Sequence, residues 1–144
     1  MTNLLHLDIV TQEKRLLTAQ VKRVTVETTT GEITILPGHI PLLTRLAEGL
    51  LHYEDAGGKV EVVAIFGGFL EVDVNGGLSV LADSAVRASD IDLAKVEKAK
   101  KEAEETLRDK KRETEFIVAE ASLRRAYLEI KAAGKAGKPR HAQN

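Results

Sequence analysis

Gly31-Glu32-Ile33-Thr34-Ile35-Leu36-Pro37-Gly38-His39-Ile40-Pro41-Leu42-Leu43-Thr44 is the stretch on which the reading of this chain turns. It sets two prolines, two glycines and a histidine beside alternating apolar residues. Thr30-Gly31 and Pro37-Gly38 are turn chemistry, because glycine takes positive φ without a Cβ clash and proline fixes its own φ. The layout predicts strand, tight turn, strand, with a shaped rim between. His39 has two readings on that rim: a polar group presented for docking, or a turn histidine bonded to nearby backbone.

Working outward, the same pattern fills the chain up to Arg87. Glycine turns recur at Gly57-Gly58, Gly67-Gly68 and Gly76-Gly77. Between them apolar residues alternate, as in Leu5, Leu7 and Ile9, in Val24 and Val26, in Val60, Val62 and Ala64, and in Leu70, Val72 and Val74. A period of two puts successive side chains on opposite faces, so each run offers one core face. Short strands with evenly spaced turns predict an antiparallel sandwich or barrel over residues 1–88. Asn75-Gly76 is a hairpin signal. Gly67-Gly68-Phe69 lacks the lysine and following helix of a phosphate loop, and reads as a backbone bend or bulge.

Beyond residue 88 the chemistry changes. No glycine or proline occurs from Leu78 to Ala133, and Ala, Glu, Lys, Arg and Leu dominate, all good helix formers. Ser89-Asp90-Ile91-Asp92 has capping-box spacing with Asp in the last place, so a helix is predicted to start there. Its apolar stripe is Leu93, Val96, Ala99, Ala103 and Leu107, and a second runs Phe116, Ala119, Leu123, Ala126/Tyr127 and Ile130. The two stripes mirror each other about Lys111, which predicts an antiparallel helix hairpin over residues 89–133. Nothing near Asp109-Lys110-Lys111-Arg112 forbids helix, however, so one helix of roughly 45 residues, about 65–70 Å, is equally compatible. Two packings for one segment make it either a candidate switch or a static cap on the sandwich. Residues 134–144, rich in Gly, Lys, Pro and Arg, read as a disordered tail.

Composition narrows the function. Aromatic content is 3%, so the core must be aliphatic. A formal net charge of -1 argues against a nucleic-acid partner. The absence of cysteine excludes disulfides, thiolate nucleophiles and cysteine-bound metal. His6, His39, His52 and His141 lack metal-ligand spacing, and neither a serine elbow nor a P-loop appears, so no catalytic centre and no metal site are predicted. The longest apolar run, Val62 to Leu70, is far short of the roughly 20 residues of a membrane helix, so any membrane association is expected through partners. Residues 1–88 carry 7 Lys and Arg against 11 Asp and Glu, a net of -4, whereas 89–133 carry 11 of each. The basic clusters Lys110-Lys111-Arg112 and Arg124-Arg125 are either solvated faces or contacts for an acidic partner surface.

The opening stretch resembles the G-E-x-G-I-L-P-x-H-x-P-L motif of the epsilon subunits of F-type proton-translocating ATP synthases, with Thr34 in place of glycine. Leu7-Asp8-Ile9-Val10-Thr11-Gln12-Glu13 is similar to the family's L-x-I-V-T-P-E, with Gln12 for proline. Gly67-Gly68-Phe69-Leu70-Glu71-Val72 is similar to G-G-F-x-E-V, and Leu81-Ala82-Asp83-Ser84-Ala85 to L-A-D-x-A. Ile91-Asp92 falls where the family's first helix opens. The mitochondrial delta subunit is the same family. The resemblance implies a sandwich of about ten strands followed by two helices. It implies a non-catalytic rotor subunit, with the gamma subunit, the c-ring and the alpha/beta catalytic hexamer as partners. Its helices would fold on the sandwich or extend to block ATP hydrolysis. Glu32 and His39 match loop positions at the c-ring rim, and the basic residues of the helices match those facing acidic loops of beta. It would lie on the cytoplasmic face of the bacterial plasma membrane as part of the synthase. Some family members bind ATP between folded helices. Ile91, Asp92 and Arg125 match that motif, but Lys95 replaces an arginine, Val86 a glutamate and Glu129 a second-helix arginine. Lysine lacks the bidentate fork and a carboxylate repels polyphosphate, so ATP is expected to bind weakly or not at all. A free-standing ATP sensor is the alternative function, with no other cofactor.

Overall fold

The computed structural model describes residues 3–109 and 115–136. Seven strands come first: β1 (Leu5–Val10), β2 (Arg15–Thr28), β3 (Gly31–Ile35), β4 (Leu42–Asp55), β5 (Val60–Val72), β6 (Leu78–Ala82) and β7 (Ala85–Arg87). A single 3-10 turn, Ala88–Asp90, leads to α1 (Leu93–Arg108), and α2 (Phe116–Lys135) follows. The strands pair in the order β1-β6-β5-β4-β2-β3, with β7 on β5, and β1 also pairs β2. That last pairing closes five strands into a ring, a flattened barrel in which β1 and β6 form the parallel pair.

The expected all-β sandwich followed by a helix hairpin is present. The expected count of about ten strands meets seven continuous ones because β2, β4 and β5 are long. β2 pairs β1 through Arg15–Val21 and β3 through Val24–Thr28. β5 pairs β7 through Val63–Ile65 and β6 through Gly68–Val72. β2 and β5 thus change neighbour along their length, whereas β4 keeps β2 on one side and β5 on the other.

The change of neighbour in β5 falls at Gly67-Gly68, both with positive φ, 82° and 124°. The register with β4 is the same on both sides, Glu48 to Phe66 and Leu46 to Gly68, so the pair makes a bend without an inserted residue. Asn75-Gly76 lies in the loop joining β5 to β6, where Asp73 Oδ1 accepts from the backbone N–H of Asn75 and Gly77. The core inside the barrel is aliphatic apart from Tyr53, in line with the low aromatic content. Leu5, Leu7, Ile9, Val21, Val24, Ile35, Leu51, Ile65, Leu70 and Val80 are all buried in it, each contributing about 1.5–3 kcal/mol relative to exposure.

The helices depart from expectation at their start. Ser89 is not the N-cap: the chain makes a 3-10 turn there, and Ile91 is extended, at φ -78°, ψ 121°. Ile91 packs against the sandwich face, and Asp92 caps α1 by accepting from the Lys95 N–H at 3.3 Å. Anchoring Ile91 takes precedence over three more helical residues. α1 and α2 pack on each other with Val96, Ala103, Ala119 and Ala126 buried, as the mirrored stripes require. Phe116 and Tyr127 remain about half exposed. The folded hairpin, not the single long helix, is the state observed; the fold-back at Lys111 lies outside the described residues. α2 continues through Gly134 to Lys135, two residues into the expected tail, and residues 137–144 lie outside the described residues.

α2 also has a second apolar edge. Leu128 and Ala132 join Leu50, Val62, Ala64, Phe66, Val86, Ala88 and Ile91 in a separate cluster on the outer face of β4 and β5. It is α2 that carries the contact between the hairpin and the sandwich.

Candidate functional site

Two surfaces hold the candidate residues. The first is the rim between β3 and β4. Leu36, Pro37, Gly38 and His39 form a tight turn in which the His39 N–H donates to the Leu36 carbonyl at 3.1 Å. Proline at the second position and glycine at the third, with φ 85°, are what a type II turn demands. His39 Nδ1 lies 2.6 Å from the Ile40 carbonyl oxygen. A carbonyl can only accept, so Nδ1 carries the proton and Nε2 is left as an acceptor. The turn-histidine reading therefore describes the isolated chain, and the ring's other nitrogen stays available to the outside. Glu32 is exposed on β3, opposite Glu27 of β2.

Around this rim the surface is apolar. Ile40 is 75% and Leu43 71% exposed, with Leu36 beside them. Phe69 and Leu81, about half exposed, sit directly across from each other on β5 and β6, and Arg45 of β4 faces Phe69 on its other side. Isolated exposed apolar residues need no explanation, but a grouped set on one end of a small domain marks a contact surface. These residues were missed from sequence. The signal was available, since Leu43, Phe69 and Leu81 occupy outward positions of alternating strands, where a solvated face would be polar.

The second surface is the cleft between the helices. Ile91, Asp92, Lys95 and Arg125, widely separated in sequence, line one cavity of about 410 Å³ together with Val86 and Glu129. These residues thus share one cleft, but its electrostatics do not suit an anion. Asp90, Asp92 and Glu129 face it against Lys95 and Arg125. Asp92 is engaged as the α1 cap. Arg125 Nε donates to Glu129 Oε1 at 2.7 Å, one of its terminal nitrogens donates to Ser84 Oγ at 3.0 Å, and its guanidinium lies 4.2 Å from the centre of the Phe66 ring. A polyphosphate would have to displace an internal carboxylate from the guanidinium. The residues present therefore do not fit ATP. No group of three or more potential metal ligands occurs among the described residues.

Arg124 donates to Glu48 of β4 at 3.3 Å. Both α2 arginines thus have partners within the chain, with their side chains still about half exposed. Lys110, Lys111 and Arg112 lie outside the described residues. No helix among them is long and apolar enough to cross a membrane.

The comparisons with known proteins follow the same two-part division. Residues 4–88 match the family "ATP synthase, Delta/Epsilon chain, beta-sandwich domain", and residues 89–134 match "ATP synthase, Delta/Epsilon chain, long alpha-helix domain". The ATP synthase epsilon chain of Nitratidesulfovibrio vulgaris is 44% identical over 132 residues, covering 92% of this chain and 97% of that one. That of Caldanaerobacter subterraneus is 39% identical over 130 residues, covering 90% and 94%. Among solved structures, a chain of the Euglena gracilis mitochondrial ATP synthase OSCP/F1/c-ring assembly aligns with a TM-score of 0.64 at 27% identity, over 92% of this chain and 78% of that one. A chain of the Tetrahymena thermophila central stalk and c-ring shares the fold, with a TM-score of 0.54 at 14% identity over 90% and 96%. Matched in order by both domains of one family and nearly end to end by such relatives, this chain belongs to the ATP synthase delta/epsilon family.

Proposed function

We propose that this chain is the epsilon-type central-stalk subunit of an F-type ATP synthase. It is not itself catalytic. Its sandwich joins the gamma subunit to the c-ring and so helps couple proton flow to ATP synthesis. Its helices act as a brake on ATP hydrolysis when they extend toward the alpha/beta hexamer. In this reading residues 1–88 are the docking domain and 89–133 the regulatory one. Glu32 and the free Nε2 of His39 face the c-ring, and Lys110, Lys111, Arg112, Arg124 and Arg125 meet acidic surface of beta once the helices leave the sandwich. The subunit sits peripherally on the cytoplasmic face of a bacterial plasma membrane, held there by the complex.

The observation that carries this reading is the apolar end of the sandwich, Leu36, Ile40, Leu43, Phe69 and Leu81, on a member of a stalk-subunit family. The ATP-sensor alternative loses support because Arg125 is already bound to Glu129. The test is capture of a purified gamma subunit and c-ring by the full chain, compared with Leu43→Asp and Phe69→Asp. Both positions are exposed, so the variants should fold normally. Binding is expected for the parent and a loss of tenfold or more for the variants, the effect of burying an unpaired carboxylate at about 2 kcal/mol or above. Failure of the parent chain to capture either partner would overturn the proposal.

A further inference from the structure

The contact that keeps the helices on the sandwich is thin. α2 places only Leu128 and Ala132 in the apolar cluster over β4 and β5, and Ala132 has a single methyl group to bury. α1 rides on α2. Beside this small apolar patch stands one polar node, in which Arg125 reaches off α2 to two elements of the sandwich at once. Its guanidinium covers the Phe66 ring of β5 at 4.2 Å and donates to Ser84, in the turn between β6 and β7, at 3.0 Å. Glu129, one helical turn on, receives its Nε at 2.7 Å and is largely shielded, at 14% side-chain exposure.

We propose that Arg125 is the latch of the hairpin: it holds α2 on the sandwich through Phe66 and Ser84, with Glu129 fixing the guanidinium plane, so that no bound ligand is needed for the folded-down state. A planar cation suits this task. It can stack on an aromatic face and donate sideways in the same pose, and a lysine cannot do both. The Arg124–Glu48 pair is more open to solvent on both sides and contributes less. Leaving the sandwich requires the Phe66 and Ser84 contacts to break, whereas the Glu129 contact lies within α2 and travels with it. The node thus sets the balance between folded and released helices without touching the barrel core. This inference stands on the isolated chain and does not depend on the stalk reading.

The chain has no cysteine, so single thiols report opening. Ala64→Cys lies under α2, and Val80→Cys lies in the barrel core. Thiol-modification rates of the full-length chain are measured for each reporter, alone and combined with Arg125→Ala, Arg125→Lys, Glu129→Gln or Arg124→Ala. Arg125→Ala is expected to speed modification at position 64 about tenfold, in line with losing a cation–π contact and a charged hydrogen bond. Position 80 should be unchanged. Arg125→Lys should rescue only part of the protection, Glu129→Gln should have a smaller effect of the same sign, and Arg124→Ala should stay within about threefold. An acceleration below fivefold at position 64 with Arg125→Ala, or equal acceleration at both reporters, overturns the latch.

Discussion

A Cβ placed on Gly68 would lie 2.1 Å from the Leu81 carbonyl oxygen, and the backbone there has φ 124°. Gly38 also has positive φ, 85°, but a Cβ there would meet nothing within 4 Å. The two glycines therefore separate steric from conformational need. Gly38→Ala should cost about 1–2 kcal/mol, the strain of a left-handed residue alone. Gly68→Ala should cost more than about 3 kcal/mol, because paired backbone of β6 must move as well. Urea denaturation of both variants checks the order; equal losses would contradict it. A second residue-scale effect lies on the β1–β2 face. The Thr18 hydroxyl donates to Asp8 Oδ1 at 2.5 Å and holds that carboxyl below its usual pKa; burial opposes this, and Arg15 and His6 add to it. A depressed folded pKa means a contribution that is in place above the unfolded value of about 3.9 and is lost as pH falls through the folded one. Thr18→Val should thus be less stable than the parent at neutral pH, and the gap should close in acid below the folded pKa of Asp8. A gap that persists there would assign the loss to packing instead.

At the scale of elements, the hairpin was legible and its seat was not. The stripes through Val96 and Ala103 on one helix and Ala119 and Ala126 on the other have three- and four-residue steps, and all four residues are buried between the helices. The second edge of α2 escaped because Leu128 and Ala132 alone carry it, and two residues make no stripe of their own. The start of α1 escaped for a different reason. Ser89 offers a valid local cap, but Ile91 is drawn into the sandwich face and the cap passes to Asp92. Local propensity loses there to burial of a large aliphatic side chain. The rim turn and the bend at Gly67-Gly68 could be read directly, since each rests on backbone conformations that few residues tolerate. The residues of the interhelical cleft were named by resemblance, while the engagement of Arg125 with Phe66 and Ser84, 59 and 41 residues away, has no local signature. The seat of α2 is open to test. Ala132 is 0% exposed, so Ala132→Glu buries a carboxylate against Leu50 and Val62. The expected result is faster tryptic cleavage at Arg124, Arg125 and Lys131, with the barrel's thermal midpoint nearly unchanged. Unchanged cleavage would mean that α2 is not held there.

For the whole molecule, a closed barrel with its own core sits beside a helical pair held by a small apolar patch, the Arg125 node and the more exposed Arg124–Glu48 pair. That inequality is the physical basis for a rigid docking body with a movable arm. It would also let one sequence carry the two helix packings proposed above: the stripes are satisfied by each other in the hairpin, and the patch under α2 is small enough to be given up. In the proposed function, release and extension of these helices restrain ATP hydrolysis. Ala103 and Ala119 are buried between the helices and line the same interhelical groove. In one continuous helix they would stand about 24 Å apart along the axis. The most direct measurement is the ATP hydrolysis rate of a synthase assembled with the Ala103→Cys, Ala119→Cys chain, oxidised and then reduced. The pair is expected to crosslink, the oxidised enzyme to hydrolyse ATP faster than the reduced one, and synthesis to be little changed. A crosslinked enzyme with the same hydrolysis rate before and after reduction would contradict it.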